Sequence, residues 1–544
     1  MTQERINRIE INWRDLFKPI NGLQTGPKEA PVINEVVVKQ EIIPIIFVPG
    51  IMGSRLINRT TEERAWDPDK PSWMAKKYGF SSPQKRKKRI VGEQAHDNAH
   101  LVVDNENAKH NKKIPDGMHD NGWGGVFWGS YGTILKTLSS HEWPEPLHAC
   151  FHFPVYAFGY NWTATNDESG KELSTYIDNI IQKNAGQGEC NQVILVTHSM
   201  GGLVARSACM LHKAQGKVLG VVHGVQPATG APAAYFRMKA GFEPPGRPDK
   251  LWDWLRNPLK PVLETVKGNA ANRILGHFGR DVTIVMANCP GALELLPNKL
   301  YKDNNGSSQW LSYTDHLGKR SDYPRKDPYR EIYGIQDPAY RLVNPAWLGE
   351  ASPNDNRSGY IDEGKPDWDN FILNLNKAGE FHDRLGTNMH PETYQFYATD
   401  LETVDRVDIA SEKRLQQGSL YFEAKDKDKF IMEIRDEAGE KTLTPGDYAL
   451  TSALAGKHCL VYSLQPPSGS GDGTVPDSSG RALAARAASY TLASGSTVAV
   501  DENDEHFYSR KHDDIYKFKT AKHITLRAIE NLCRHKIRTE TARS

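Results

Sequence analysis

The stretch 194-ILVTHSMGGLVAR-206 decides how this chain is read. Val193 to Val196 form a continuous apolar run, the pattern of a strand buried on both faces. Leu203 to Leu211 suit a helix. Between them lies a glycine-rich turn with Ser199 at its centre. Strand, sharp turn and helix with a serine at the turn is the context of a nucleophile elbow. The usual elbow reads G-x-S-x-G, and here Thr197 stands at the first glycine position. The elbow needs company. A serine hydroxyl requires a histidine to take its proton, a carboxylate to orient that histidine, and N–H donors for the oxyanion.

Working outward, the chain order expected of such enzymes is serine, acid, histidine. The apolar run 458-HCLVYSL-464 is followed by 465-QPPSGSGDGTVP-476, with Asp472 between two glycines. Asp-Gly is a common turn, but its place after a late strand marks Asp472 as the acid. Ala521–Leu532 reads as the final helix. Two histidines precede it, His506 within the acidic run Asp501–Glu505, and His512 ahead of Asp-Asp-Ile-Tyr. Order alone does not separate them as the base. His523 falls inside the helix and reads as structural. For the oxyanion, Met200 N–H follows the nucleophile, and Ile51 N–H lies in 44-PIIFVPGIMGSRL-56, a glycine-bearing loop after an early strand. No GxGxxG or GxxxxGK[ST] accompanies that loop, so a nucleotide site is not expected.

The rest of the chain fits a large α/β protein. It has 544 residues, 38% of them hydrophobic. Lys+Arg number 68 and Asp+Glu 67, a net charge of +1, which gives no field for nucleic acid. Six cysteines (150, 190, 209, 289, 459 and 533) form no CxxC pair and no disulfide scaffold. The N-terminus, MTQERINRIEINWRDLF, lacks the apolar core of a signal peptide, and no apolar run reaches the ~20 residues of a membrane span. A protein made in the cytoplasm without a classical export signal is expected.

Core strands are expected at Ile42–Val48, Phe153–Tyr160, Val193–Thr197, Val218–Val225, Val282–Ala287 and His458–Leu464. An amphipathic helix is expected at Lys171–Gln182. Strands alternating with helices predict a parallel sheet covered on both faces. The catalytic core is then residues 35–235, 276–297 and 446–535. Residues 60–120 form a polar insertion, and residues 236–275 and 298–445 form cap or lid insertions. The run 85-KRKKR-89 reads as a solvated loop. The Trp-rich 251-LWDWLRNPLKPVLETV-266 reads as packing of the cap, with lipid contact the alternative. The triad chemistry requires no metal and no cofactor. His96, His100 and His110 share one insertion without metal-ligand spacing, and Asp501–Glu505 is a weak calcium pattern.

Several further stretches carry a family resemblance. They are 46-IFVPGIMGSRL-56, Trp66-Asp67-Pro68, 155-VYAFGYNWTATNDESG-170, 226-QPATGAPAAYFRMKAG-241, 289-CPGALELLPNKLY-301 and 471-GDGTVP-476. In this order, with the elbow, they resemble α/β-hydrolase lipases of the lecithin:cholesterol acyltransferase-like type. More narrowly they resemble bacterial type VI secretion lipase effectors. The resemblance implies an α/β-hydrolase fold, a mostly parallel sheet with large cap insertions, and a triad of Ser199, Asp472 and a late histidine. The spacing of 512-HDDIYKFKTAKHITLRAI-529 matches the family's last motif, which places the base at His512, with His506 the alternative. It further implies hydrolysis of phospholipid acyl esters, delivery by a type VI spike, tube or adaptor to the periplasm of a target cell, and an immunity protein. A lipid acyltransferase using the same triad and a housekeeping carboxylesterase are the other readings of these residues.

Overall fold

The computed structural model describes residues 5–27, 32–79, 81, 83–91, 100–105, 111–241, 279–337, 339–345, 348, 365–415, 430–436, 442–443, 458–484, 487–492 and 511–542. Six strands form the central sheet: β1 (Ile45–Val48), β2 (Val155–Ala157), β3 (Val193–His198), β4 (Val218–Gly224), β5 (Thr393–Ala398) and β6 (Ala488–Leu492). Their order is β6-β5-β4-β3-β1-β2, and every pairing is parallel. Eight helices of eight or more residues are described: α1 (Pro83–Ile90), α2 (Trp128–Ser139), α3 (Asn166–Ala185), α4 (Gly201–Met210), α5 (Pro232–Ala240), α6 (Gly279–Met286), α7 (Lys365–Leu385) and α8 (Lys519–Thr541).

The period-two alternation of a strand sorts the core into two halves. From β1 and β3, Ile46, Val48 and Leu195 pack with Leu173 and Ile177 of α3 and Leu203 of α4. The alternate residues Ile45, Phe47, Ile194 and Val196 pack with Ile134 and Leu135 of α2 and Ile529 and Leu532 of α8. All six residues of β3 are buried, which is why it reads as an unbroken apolar run. Helix α3 begins earlier than the sequence predicts, because Thr165 and Glu168 form a reciprocal capping box. This is the α/β-hydrolase architecture, a parallel sheet with helices on both faces.

A second sheet of six strands stands beside it, in the order Arg320–Tyr323, Leu311–Thr314, Val407–Leu415, His458–Leu464, Phe430–Asp436 and Thr442–Leu443. All of its pairings are antiparallel except Leu311–Thr314 with Val407–Leu415. The N-terminal segment Arg5–Asn12 pairs in parallel with Val32–Lys39.

Four expectations are corrected. Val282–Ala287 is not a strand; all of it but Ala287 lies in helix α6, whose Val282, Ile284, Val285 and Met286 are buried. A short apolar run buried all round looks the same in either state. His458–Leu464 is a strand, but of the second sheet. The late strands of the central sheet are instead β5, inside the 298–445 segment read as a cap insertion, and β6. The run Lys85–Arg89 is not a loop: it lies in α1, where Lys87 donates to Leu348 O at 2.7 Å and Asp367 at 3.2 Å, and Arg86 donates to Tyr78 O at 2.8 Å. The Trp-rich stretch 251–266, His96, His110, His506 and the acidic run 501–505 lie outside the described residues.

Candidate active site

Ser199 sits between β3 and α4 with φ +51°, a left-handed conformation that a non-glycine residue adopts only under constraint. Its N–H donates to Gly224 O, and its carbonyl accepts from Gly202 N–H, both at 2.9 Å. The turn needs its glycines for close approach. A Cβ at Gly201 would stand 2.4 Å from Pro49 O, and one at Gly50 would stand 2.8 Å from His198 Nδ1 and 3.0 Å from Ser199 Cβ. Gly50 therefore lets the β1 loop pass close over the elbow itself. Thr197, at the position where glycine is usual, places Oγ1 2.8 Å from Nδ1 of His223, its facing residue on β4. Burial, with the nearby Arg206 and His390, pushes the His223 pKa down to about 3, so this pair is neutral.

Three of the expected residues converge. His512 Nε2 stands 2.7 Å from Ser199 Oγ, and His512 Nδ1 stands 2.6 Å from Asp472 Oδ2. Asp472 follows the short strand Gly469–Gly471, and its other oxygen, Oδ1, accepts N–H bonds from Thr474 at 2.9 Å and Val475 at 2.7 Å. Those donors fix the carboxylate so that Oδ2 faces the ring. The His512 N–H also donates to Asp472 O at 3.1 Å, so backbone and side chain both tie the two loops. His512 is 6% exposed. Burial opposes its charging, but the Asp472 charge and hydrogen bond, helped by Asp513, outweigh it, and the His512 pKa lies above the ordinary imidazole value.

Met200 and Ile51 lie where the oxyanion reading puts them, at the head of α4 and in the β1 loop. Neither N–H bonds a protein acceptor among the described residues. Met52, next in that loop, has φ +60° and is held by Trp66 Nε1 donating to its carbonyl at 3.0 Å.

Ser199 and His512 line a cavity of 450 Å³. Apolar lining comes from Ala231, from Ala234 and Met238 of α5, and from Val282 and Met286 of α6. Charged side chains also line the cavity: Lys113, Arg237, Lys517, Asp69, Asp513 and Asp514. Arg237 donates to Thr474 Oγ1 at 2.9 Å. Asp69 accepts the Trp128 and Gly129 N–H groups at 2.9 and 3.0 Å, at the start of α2. Sequence reasoning missed His198, Tyr131, Arg237 and Asp69. Only His198, beside the nucleophile, carried a signal. No group of metal-ligating side chains occurs among the described residues.

Such a fold, with an elbow serine hydrogen-bonded to a histidine, defines the chain as an α/β-hydrolase-fold protein. Residues 39–239 match the family model described as PGAP1-like alpha/beta domain. Of solved structures, a chain of the Tle4–Tli4 complex is similar at 24% identity, covering 91% of this chain and 99% of that one, with a TM-score of 0.65. The Bacillus licheniformis lipase BlEst2 in its propeptide form is matched at 14% identity over 79% of this chain and 72% of that one, with a TM-score of 0.18. Phospholipase PlaB from Legionella pneumophila is matched at 12% identity over 78% and 80%, with a TM-score of 0.17. TM-scores this low define no shared fold. No curated protein sequence matches the chain.

Proposed function

We propose that this chain is a serine lipase that hydrolyses acyl esters of membrane phospholipids. The observation that carries the reading is the line from Ser199 through His512 to Asp472 at the mouth of a half-apolar cavity. Ser199 Oγ attacks the ester carbonyl as His512 Nε2 takes its proton. Asp472 holds the tautomer with Nδ1 protonated and stabilises the imidazolium. The Met200 and Ile51 N–H groups receive the oxyanion, each worth roughly 3–4 kcal/mol of barrier. His512 then protonates the leaving alcohol, and water, deprotonated by His512, releases the acyl group from Ser199. An acyl chain fits against α5 and α6, and the charged side chains face the polar end of a phospholipid.

The same proposal extends to biology. The sequence resembles type VI lipase effectors, and the similar solved chain was crystallised in a Tle4–Tli4 complex. We read this chain likewise as an antibacterial effector, carried by a spike, tube or adaptor to the periplasm of a target cell and blocked by a cognate immunity protein. No described helix is long and apolar enough to cross a membrane. The test is plating of a bacterium that expresses wild type or Ser199→Ala, with or without an added periplasmic signal peptide. Toxicity is expected only for periplasmic wild type. Harmless, folded periplasmic wild type would favour a housekeeping esterase.

A further inference from the structure

From the loop after β1 to His512 runs a chain of hydrogen bonds that the proposed mechanism does not use. Gly50 N–H donates to Tyr131 Oη at 3.2 Å. Tyr131 Oη stands 2.9 Å from His198 Nδ1, and His198 Nε2 stands 2.8 Å from the carbonyl oxygen of His512. The proton positions follow from chemistry. A carbonyl only accepts, so His198 Nε2 carries a proton. Burial, together with the His512 charge, pushes the His198 pKa down to about 3, so the ring is neutral and Nδ1 is bare. Tyr131 must therefore donate to Nδ1. Burial also holds the Tyr131 phenol protonated. Tyr131 accepts from Gly50 and donates to His198, and His198 accepts at Nδ1 and donates at Nε2.

From this geometry we infer that Tyr131 and His198 are positioning residues. Together they tie the backbone of the oxyanion loop to the backbone of the base. At one end the chain fixes the Pro49–Gly50 peptide, the peptide unit directly before the one that carries the Ile51 N–H. At the other it fixes the carbonyl of His512 and the rest of that residue. His198 is the chain neighbour of Ser199, and Tyr131, His198 and Ser199 line the same cavity. Tyr131 and His198 are 4% and 3% exposed. Rigid neighbours hold them: Phe47 packs on Tyr131 with ring centroids 4.9 Å apart, and Tyr516 packs on His198 at 6.0 Å. Neither residue hydrogen-bonds Ser199 Oγ or the His512 ring, whose nitrogens face Ser199 and Asp472. They set the spacing between the oxyanion donors and the base, which is fixed before substrate arrives.

This rests on the esterase reading above, and the experiment separates the two. Wild type, Tyr131→Phe, His198→Leu and the double variant are assayed on one soluble ester, with thermal unfolding measured for each. Tyr131→Phe keeps the ring and loses both hydrogen bonds. It should lower kcat between about tenfold and the roughly 10²-fold of a 1 Å misplacement, with KM changed less than about threefold. His198→Leu should do the same. If they act through one chain, the double variant should be no slower than the worse single variant. A merely structural role would instead give multiplied losses that track the melting temperature. If Tyr131→Phe does not fold, His198→Gln replaces it, since its amide keeps one acceptor and one donor and should recover activity over His198→Leu. Wild-type kcat in Tyr131→Phe, multiplied losses in the double variant, or no difference between His198→Gln and His198→Leu would overturn the inference. Wild type inactive on every ester would instead sink the reading beneath it.

Discussion

Ser199 Oγ and His512 Nε2 stand 2.7 Å apart although 313 residues separate them in the chain. The contact is made at the ends of two rigid parts, an elbow on a fully buried strand and a short turn leading into α8. Its worth as a proton path depends on which nitrogen of His512 is protonated, and Asp472 sets that.

Asp472→Asn keeps the shape but lets the amide donate to His512 Nδ1, which moves the ring proton to Nε2, facing Ser199. The expected fall in kcat is on the order of 10⁴, the size seen for this change in the best-studied triad. Steady-state kinetics on a soluble ester measure it. A fall below about tenfold would mean that another carboxylate orients the base.

The pH dependence has a definite sign. His512 must be neutral to accept the serine proton, so activity is lost as pH falls through its pKa. That pKa lies above the ordinary ~6.5. The acid limb of kcat/KM should therefore fall above pH ~6.5. Asp513 helps raise the pKa, so Asp513→Asn should move the limb to lower pH with the triad intact. A limb that stays put, or moves upward, would contradict the electrostatics.

Gly201→Ala tests the elbow's packing. The new methyl would meet Val48 O at 2.6 Å and Pro49 O at 2.4 Å, both backbone atoms of the strand end that carries the oxyanion loop. A stability loss of about 1–3 kcal/mol in urea unfolding is expected, with kcat lowered at least tenfold. A fully active, fully stable variant would show that the loop yields without harm.

Much of the site was legible because its chemistry is written locally. Ser199 is bracketed by a buried strand and glycines, and Asp472 by glycines after a strand. His512 was separable from His506 only through the family resemblance, because sequence order serves both equally. What failed was assignment by apolar runs. Val282–Ala287 is buried on all sides, so it has no period, and its β-branched residues favoured a strand where tertiary packing makes a helix. Thr393–Ala398 was lost inside a long polar stretch, although Phe396 and Ala398 face the core. Tyr131 was illegible for a different reason: its partners lie 67 and 81 residues away, and nothing in the local sequence marks the meeting.

The apolar lining should select acyl length. Ala234 of α5 faces the cavity, and Ala234→Phe would fill part of it. KM for long-chain esters should rise about tenfold or more, while that for a two-carbon acyl ester stays within about twofold; one lost methylene contact is worth ~0.8 kcal/mol, so several compound quickly. Equal effects on both esters would place the acyl chain elsewhere.

In the proposed function Ser199 is the nucleophile of a phospholipid esterase. The most direct measurement is fatty-acid release from phospholipid vesicles by purified wild type and Ser199→Ala, with fluorophosphonate labelling of both. Release and labelling are expected of wild type, and neither of a folded Ser199→Ala. Release by Ser199→Ala at near wild-type rate, or folded wild type that is neither labelled nor active on any phospholipid, would contradict this function.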